Sequence, residues 1–296
     1  DGEFLRFDAA GKFAANLFRK GQGPGEFQRI ENYAPLAAEV LAFQRNPLKL
    51  VRMDLGGALL GEVKPDASVS RLLGLDGGRL VMASNSTPAV DKVQKPEGEV
   101  LDIVWTLHLM TAEGAVTATP LAFPTKWFAK RLPGALIADN LTVLLAAPLG
   151  NGLVAVAHED AYSIKVADLE KKEIVRTITR ANYRRVKYEP EPAPETPGGA
   201  RRLSVPRDYF NDIQKLVSVD GRIWVMTSTV EPGKGVLVDV LGSDGEYLDN
   251  FYLPLPKGVG PRELGRHPLT IAGKAVLTVE VREDGLTEVV KYEILD

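Results

Sequence analysis

The chain has no cysteine. That excludes disulfides, thiolate chemistry and every zinc or iron–sulfur site that depends on cysteine ligands. Charge of one sign is also missing. The formal net charge is -3, without the basic excess that marks a general nucleic-acid binder. No apolar run approaches the roughly 20 residues that cross a bilayer as a helix. No stretch sustains a helical period, so little helix is expected. GxSxG, HExxH, Walker A and dinucleotide fingerprints are all absent, leaving serine-hydrolase, zincin, NTPase and Rossmann readings without support.

What is present is ordinary globular composition, 45% hydrophobic over 296 residues, arranged in short alternating runs. "EFLRFDAAGKFAANLF" joins two such runs through a Gly-containing turn, and "VLVDVLGSDGEYLDNFYL" does the same. Alternation around a tight turn reads as a β-hairpin. "LVRMDLGGALLGEV", "WTLHLMTAEGAVTATPL" and "SIKVADLEKKEIVRTIT" repeat the pattern. A second turn class precedes an apolar run each time: "LDGGRLVMA", "LGNGLVAVA", "VDGRIWVMT" and "IAGKAVLTV". Interleaved, the two classes define a unit of four strands, A to D, whose A–B turns at Gly78, Gly152, Gly221 and Gly273 fall roughly 50 to 75 residues apart. Four-strand units repeated in this way predict an all-β fold, a single β-propeller domain over residues 1–296. Two stacked β-sandwiches would share the short strands but not the joint recurrence described next.

"GQGPGEF", Gly21 to Phe27, returns as "GVGPREL", Gly258 to Leu264. In the first copy Gly23-Pro24-Gly25-Glu26 predicts a type II turn, with proline presetting φ and glycine supplying a positive φ. Arg262 at the matching position predicts a type I turn in the second. Phe27 and Leu264 then re-enter the core. Full units are expected at 30–64, 67–122, 139–179 and 210–253, with strands A to C at 266–295 and a C–D hairpin at 3–18. Six blades, the first and last incomplete, fit best; five blades with both termini in one is the alternative.

"FLRFDAAGKFAANLFRKGQGPGEF" resembles the NHL-type repeat, in which a strand hairpin runs into a Gly-rich linker. The closest likeness is to bacterial six-bladed propellers with a GxGPGEF-type linker, and "VPRDYFNDIQKLVSVDGRIWVMT" is similar to their late-blade pattern. The resemblance implies a six-bladed propeller and export, hence a periplasmic or extracellular protein. The chain opens at Asp1 within patterned sequence and reads as trimmed or processed, so a signal or lipid anchor would lie outside it. The group has no uniform activity and transfers no catalytic residues.

In a four-strand blade the A–B and C–D turns share one face, and the B–C and D–A connections share the other. Three long loops are expected on that second face: 86–99 between B and C, and 123–138 and 180–210 between D and A. Long loops on a rigid scaffold carry binding. Trp127, Lys130, Arg131, Arg184, Arg185 and Arg207 supply aromatic and cationic contacts there, suited to a protein, peptide or glycan. The Pro-rich acidic stretch "YEPEPAPETPGG" reads as a mobile arm or insertion. The leading reading is therefore a non-enzymatic binding or scaffold propeller without a cofactor. The competing one is a Ca²⁺-dependent hydrolase or lactonase. Asp139, Asn140, Asn211 and Asp212 would ligate an axial ion, and Glu31 or His267 would act as base. His108 reads as structural and His158 as part of a polar turn.

Overall fold

The computed structural model describes residues 4–294 apart from 9, 37, 67–68, 87–92, 94, 119, 133–134, 190–204, 257–258, 266, 273–274, 282–284 and 286. The alternating runs become short antiparallel strands. A hairpin, β1 (Leu5–Phe7) and β2 (Phe13–Asn16), comes first. Next is a four-strand meander: β3 (Asn32–Pro35), β4 (Glu39–Gln44), β5 (Lys49–Asp54) and β6 (Leu59–Val63). The following sheet has five strands: β7 (Arg71–Asp76), β8 (Arg79–Asn85), β9 (Glu99–Met110), β10 (Leu121–Leu132) and β11 (Ala135–Asn140). Two more four-strand sheets are β12 (Leu145–Gly150), β13 (Leu153–Ala157), β14 (Ser163–Asp168), β15 (Glu173–Thr179) and β16 (Ile213–Val219), β17 (Arg222–Glu231), β18 (Gly235–Leu241), β19 (Tyr247–Leu253). A single helical turn, α1 (Pro261–Leu264), precedes the last sheet: β20 (Leu269–Ala272), β21 (Ala275–Val281) and β22 (Thr287–Glu293).

Every sheet is ordered as a sequential meander, and the first strands stand side by side in chain order: β3 against β7, β7 against β12, β12 against β16 and β16 against β20. Successive meanders radiating from adjoining inner strands make one architecture. The chain is a β-propeller.

Its core is a series of apolar layers between neighbouring sheets. Val81, Leu107 and Phe123 meet Val154, Val156 and Ala167 in one layer; Ala155, Ile164 and Val166 meet Ile213, Ile223 and Val225 in the next. Strands such as β13, Leu153–Ala157, are covered on both faces, so their sequences are apolar at every position rather than alternating. Each fully buried Leu, Val or Phe contributes roughly 1.5–3 kcal/mol. The outermost strands have no second neighbour, and β15 is exposed along nearly its whole length.

The repeated heptad works through its glutamate. In the first copy the Glu26 N–H donates to the Gly23 carbonyl at 3.1 Å, and Gly25 takes φ +71°, the expected type II turn. The Glu26 carboxylate then accepts the Gly23 N–H at 2.9 Å. In the second copy Glu263 N–H reaches the Gly260 carbonyl at 3.2 Å within α1, and its carboxylate accepts the Gly260 N–H at 3.0 Å. Phe27 and Leu264, directly after each glutamate, are completely buried. Each copy is thus a self-clipped turn that drives one apolar side chain between sheets.

One expected loop is not a loop. Most of residues 123–138 lie in β10 and β11, which extend the second sheet. Pro124 and the basic residues obscure the strand pattern. Proline is tolerated because β11 pairs with β10 only from Trp127 onward, so the Pro124 edge needs no donor. The inner strand of the third blade accordingly starts at Leu145 rather than near 139.

Two glycines offer a test of the backbone geometry. Gly221 sits at φ +74° with open space around an added Cβ, whereas Gly235, at φ +110°, would press a Cβ onto the Leu253 carbonyl. Gly221→Ala should cost about 1 kcal/mol, and Gly235→Ala roughly 3 kcal/mol by adding backbone overlap to the same strain. Equal losses in chemical denaturation would mean that the β18–β19 edge relaxes freely.

Candidate ligand-binding face

The second blade grows out of the disc. β8 ends at Asn85, paired with Trp105, but β9 and β10 stay paired beyond that point, from Val104 with Pro124 to Glu99 with Ala129. β11 then pairs with β10 from Leu132 back to Trp127. The result is a three-stranded flap on the end that carries the B–C and D–A connections. It is tied at its root. The His158 Nδ1–H donates to the Pro124 carbonyl at 2.8 Å, which leaves Nε2 to accept the Lys165 ammonium at 2.7 Å. Burial, with Lys165 adding to it, lowers the pKa of His158 and keeps the ring neutral.

The register gathers polar groups on one flap face. Thr125 and Trp127 are two apart on β10 and share a face, and Asn140 is the register partner of Trp127. Arg207 Nη2 donates to the Asn140 carbonyl at 2.8 Å. Among the described residues, buried atoms of all four side chains find no hydrogen-bond partner: Thr125 Oγ1, Trp127 Nε1, Asn140 Oδ1 and Arg207 Nε. Leaving such atoms unpaired costs about 1–3 kcal/mol each, so a cluster of them marks a place where a ligand or ordered water completes the bonding.

Facing the flap root is a short ribbon bracketing residues 190–204. Tyr188 N–H donates to Asp208 O at 2.9 Å and Phe210 N–H to Val186 O at 3.0 Å. Arg207 lies over the Tyr188 ring, 5.2 Å from its centroid. Arg185, expected to meet a ligand, anchors this ribbon instead. Its Nε donates to Asp212 at 2.9 Å, its Nη2 to Asp160 at 3.0 Å, and its guanidinium stacks over Tyr209 at 4.8 Å. A second anchor went unnoticed in the sequence. Arg180 grips the fully buried Asp239 with bonds of 2.6 and 2.9 Å, while Tyr162 OH donates to the same carboxylate at 2.8 Å. The Asp239 partner lies 59 residues away, so no local pattern announces the pair.

The other candidates fall as follows. Arg184 is exposed and makes no bond to the described residues. Lys130 is half-buried and Arg131 exposed, both toward the tip of β10. Asp139 and Asn140 end the outermost strand of the second blade, not an inner strand as the axial metal reading requires. Asp212 is buried, its carboxylate shared between Arg185 and the Tyr162 N–H at 3.0 Å. Neighbouring Asn211 gives its carbonyl to Gln214. Among the described residues no three His, Asp or Glu side chains gather as a metal would need. Glu31 pairs with Arg29 at 3.5 Å, and His267 Nε2 meets Thr278 Oγ1 at 2.6 Å. His108, buried, meets Ser84 Oγ at 2.8 Å. Half of 86–99, and residues 190–204 of the acidic Pro-rich stretch with Arg201 and Arg202, lie outside the described residues.

No protein-family model matches the chain, and no curated protein matches its sequence. Solved structures similar to it include the WD40 β-propeller domain of Doa1, 9% identical over 98% of this chain and 86% of that one, with a TM-score of 0.43. Hsv2 of Kluyvelomyces marxianus is 12% identical over 90% of this chain and 86% of that one, at a TM-score of 0.38. Apo AztD from Citrobacter koseri is 10% identical over 89% and 68%, at 0.36.

The Arg185–Asp212 anchor has a pH signature. Burial raises the Asp212 pKa and the Arg185 guanidinium pulls it back. Arg185→Met should therefore lower stability at neutral pH by about 2–3 kcal/mol, the exposed part of the guanidinium moderating the loss. Without its partner the carboxyl titrates higher in the folded than in the unfolded chain. The folded state then binds more protons, and the deficit should shrink as pH falls from neutral to about 5. Denaturant melts of both proteins at the two pH values check this; a constant deficit would mean that Asp212 remains ionised.

Proposed function

We propose that this protein is a non-enzymatic binding or scaffold propeller that holds a peptide, protein or glycan ligand on its B–C/D–A face. The observation that carries the reading is the set of buried groups with no partner among the described residues where the flap meets the ribbon: the Trp127 and Arg207 N–H donors, the Asn140 acceptor and the Thr125 hydroxyl. A peptide group or a sugar hydroxyl offers both a donor and an acceptor, which is what this wall lacks. Trp127 adds a large apolar contact with a polar edge. The wall stands on strands continuous with the blade, so its geometry exists before the ligand arrives, and little ordering entropy is lost on binding.

We count six blades: four full ones numbered from β3–β6 as the first, and two incomplete ones, β1–β2 and β20–β22, at the ends of the chain. In support, the two end sheets share no ladder among the described residues. The NHL-like linker favours a site of action outside the cytoplasm, in the periplasm or the extracellular space.

Peptide and glycan arrays probed with the intact protein test the assignment. Trp127→Phe and Asn140→Leu each keep the bulk of the side chain and remove a polar group. Either should weaken binding to the best array ligand about tenfold while leaving the melting temperature within a few degrees of the parent. Arrays without a hit, or hits indifferent to both substitutions, would remove the flap from the binding site.

A further inference from the structure

Two cations on inner strands lack an acidic partner among the described residues. Arg71 opens β7 and Lys215 is the third residue of β16. Each reaches sideways to the blade that follows it. Arg71 Nη1 donates to the Leu144 carbonyl, just before β12, at 3.3 Å, and Lys215 Nζ to the His267 carbonyl, two residues before β20, at 2.9 Å. Neither takes part in an ion pair among the described residues, and the remaining donors of both groups are uncommitted there. β12 stands between β7 and β16, and the Leu144 carbonyl that Arg71 holds lies just before its start, so both cations flank β12 toward the D–A end of the inner strands.

They are close enough to repel. Burial, reinforced by the charge of Arg71, lowers Lys215 to about 8, and burial also lowers Arg71. His267, whose carbonyl takes the Lys215 bond, has its ring pKa lowered by burial and by Lys215, with Glu280 acting in the opposite sense. Two like charges half-buried near each other with only carbonyl dipoles for company are a standing cost. A bound anion removes that cost. Neither sequence motif nor repeat drew attention to Arg71 or Lys215, because each is the one cation of its strand.

We propose that the axial mouth is a binding site for one oxyanion, a carboxylate or phosphate group, held between the Arg71 guanidinium and the Lys215 ammonium. The fork of Arg71 suits the two oxygens of such a group, and Lys215 adds a point charge. The site is distinct from the flap wall and does not depend on what that wall binds.

The test is a thermal melt of the intact protein at neutral pH in sodium phosphate, in sodium succinate and in sodium chloride at matched ionic strength, followed by calorimetric titration. Phosphate, succinate or both should raise the melting temperature by several degrees beyond chloride, and the one that acts identifies the source of the oxyanion. Lys215→Met should melt no lower than the parent without anion, since it removes a desolvated charge, yet lose the anion-dependent rise and bind at least about tenfold more weakly. Arg71→Gln should lose the rise as well; if it fails to fold, Lys215→Met decides alone. A chloride effect equal to the others, or a full anion response in Lys215→Met, would overturn the proposal.

Discussion

Central strands such as β13, β17 and β18 are buried over most of their length on both faces, and that constraint organises everything else. A sheet with two greasy faces needs a neighbour on each, and a chain of such sheets satisfies the need by arranging them around an axis. The layers between sheets hold the core, while the inner strands are pushed together at the hub. Polar chemistry is thereby driven to three places: the outer strands, the two ends of the disc and the channel mouth. The flap, the anchored ribbon and the Arg71–Lys215 pair each occupy one of the last two.

Apolar layers alone do not fix one blade against the next, because greasy surfaces slide. Buried charge pairs supply the register here. Arg180 with Asp239 and Arg185 with Asp212 join the chain leaving the third blade to the fourth, and His158 ties the third blade to the flap of the second. Such pairs contribute little net stability but penalise any arrangement that separates them.

Architecture was legible in the sequence because period-2 alternation and glycine turns are local signals. The hairpins, the A–B turns at Gly78, Gly152 and Gly221, the type II turn at Gly25 and the buried Phe27 and Leu264 are where the sequence puts them. The candidate site was legible only in part. Arg207 reaches the carbonyl of Asn140, the register partner of Trp127, but residues 123–138 hid a strand pair behind Pro124. Arg185 turned out to face Asp212 rather than solvent. Long-range pairs such as Arg180 with Asp239, and the approach of Arg71 to Lys215 across a third blade, leave no trace in local composition. They exist only once the ring brings distant segments together.

The flap deserves to be thought of mechanically. β9 and β10 run without a break from the apolar layer beside Val154 and Phe123 to the tip, where Lys130 is half-buried and Arg131 exposed. They make a beam clamped at one end. Whatever presses on the free end bends the beam at its root, where His158 and Pro124 meet. A load at the rim is thereby carried inward to the seam between the second and third blades, making that seam the natural fulcrum of the molecule.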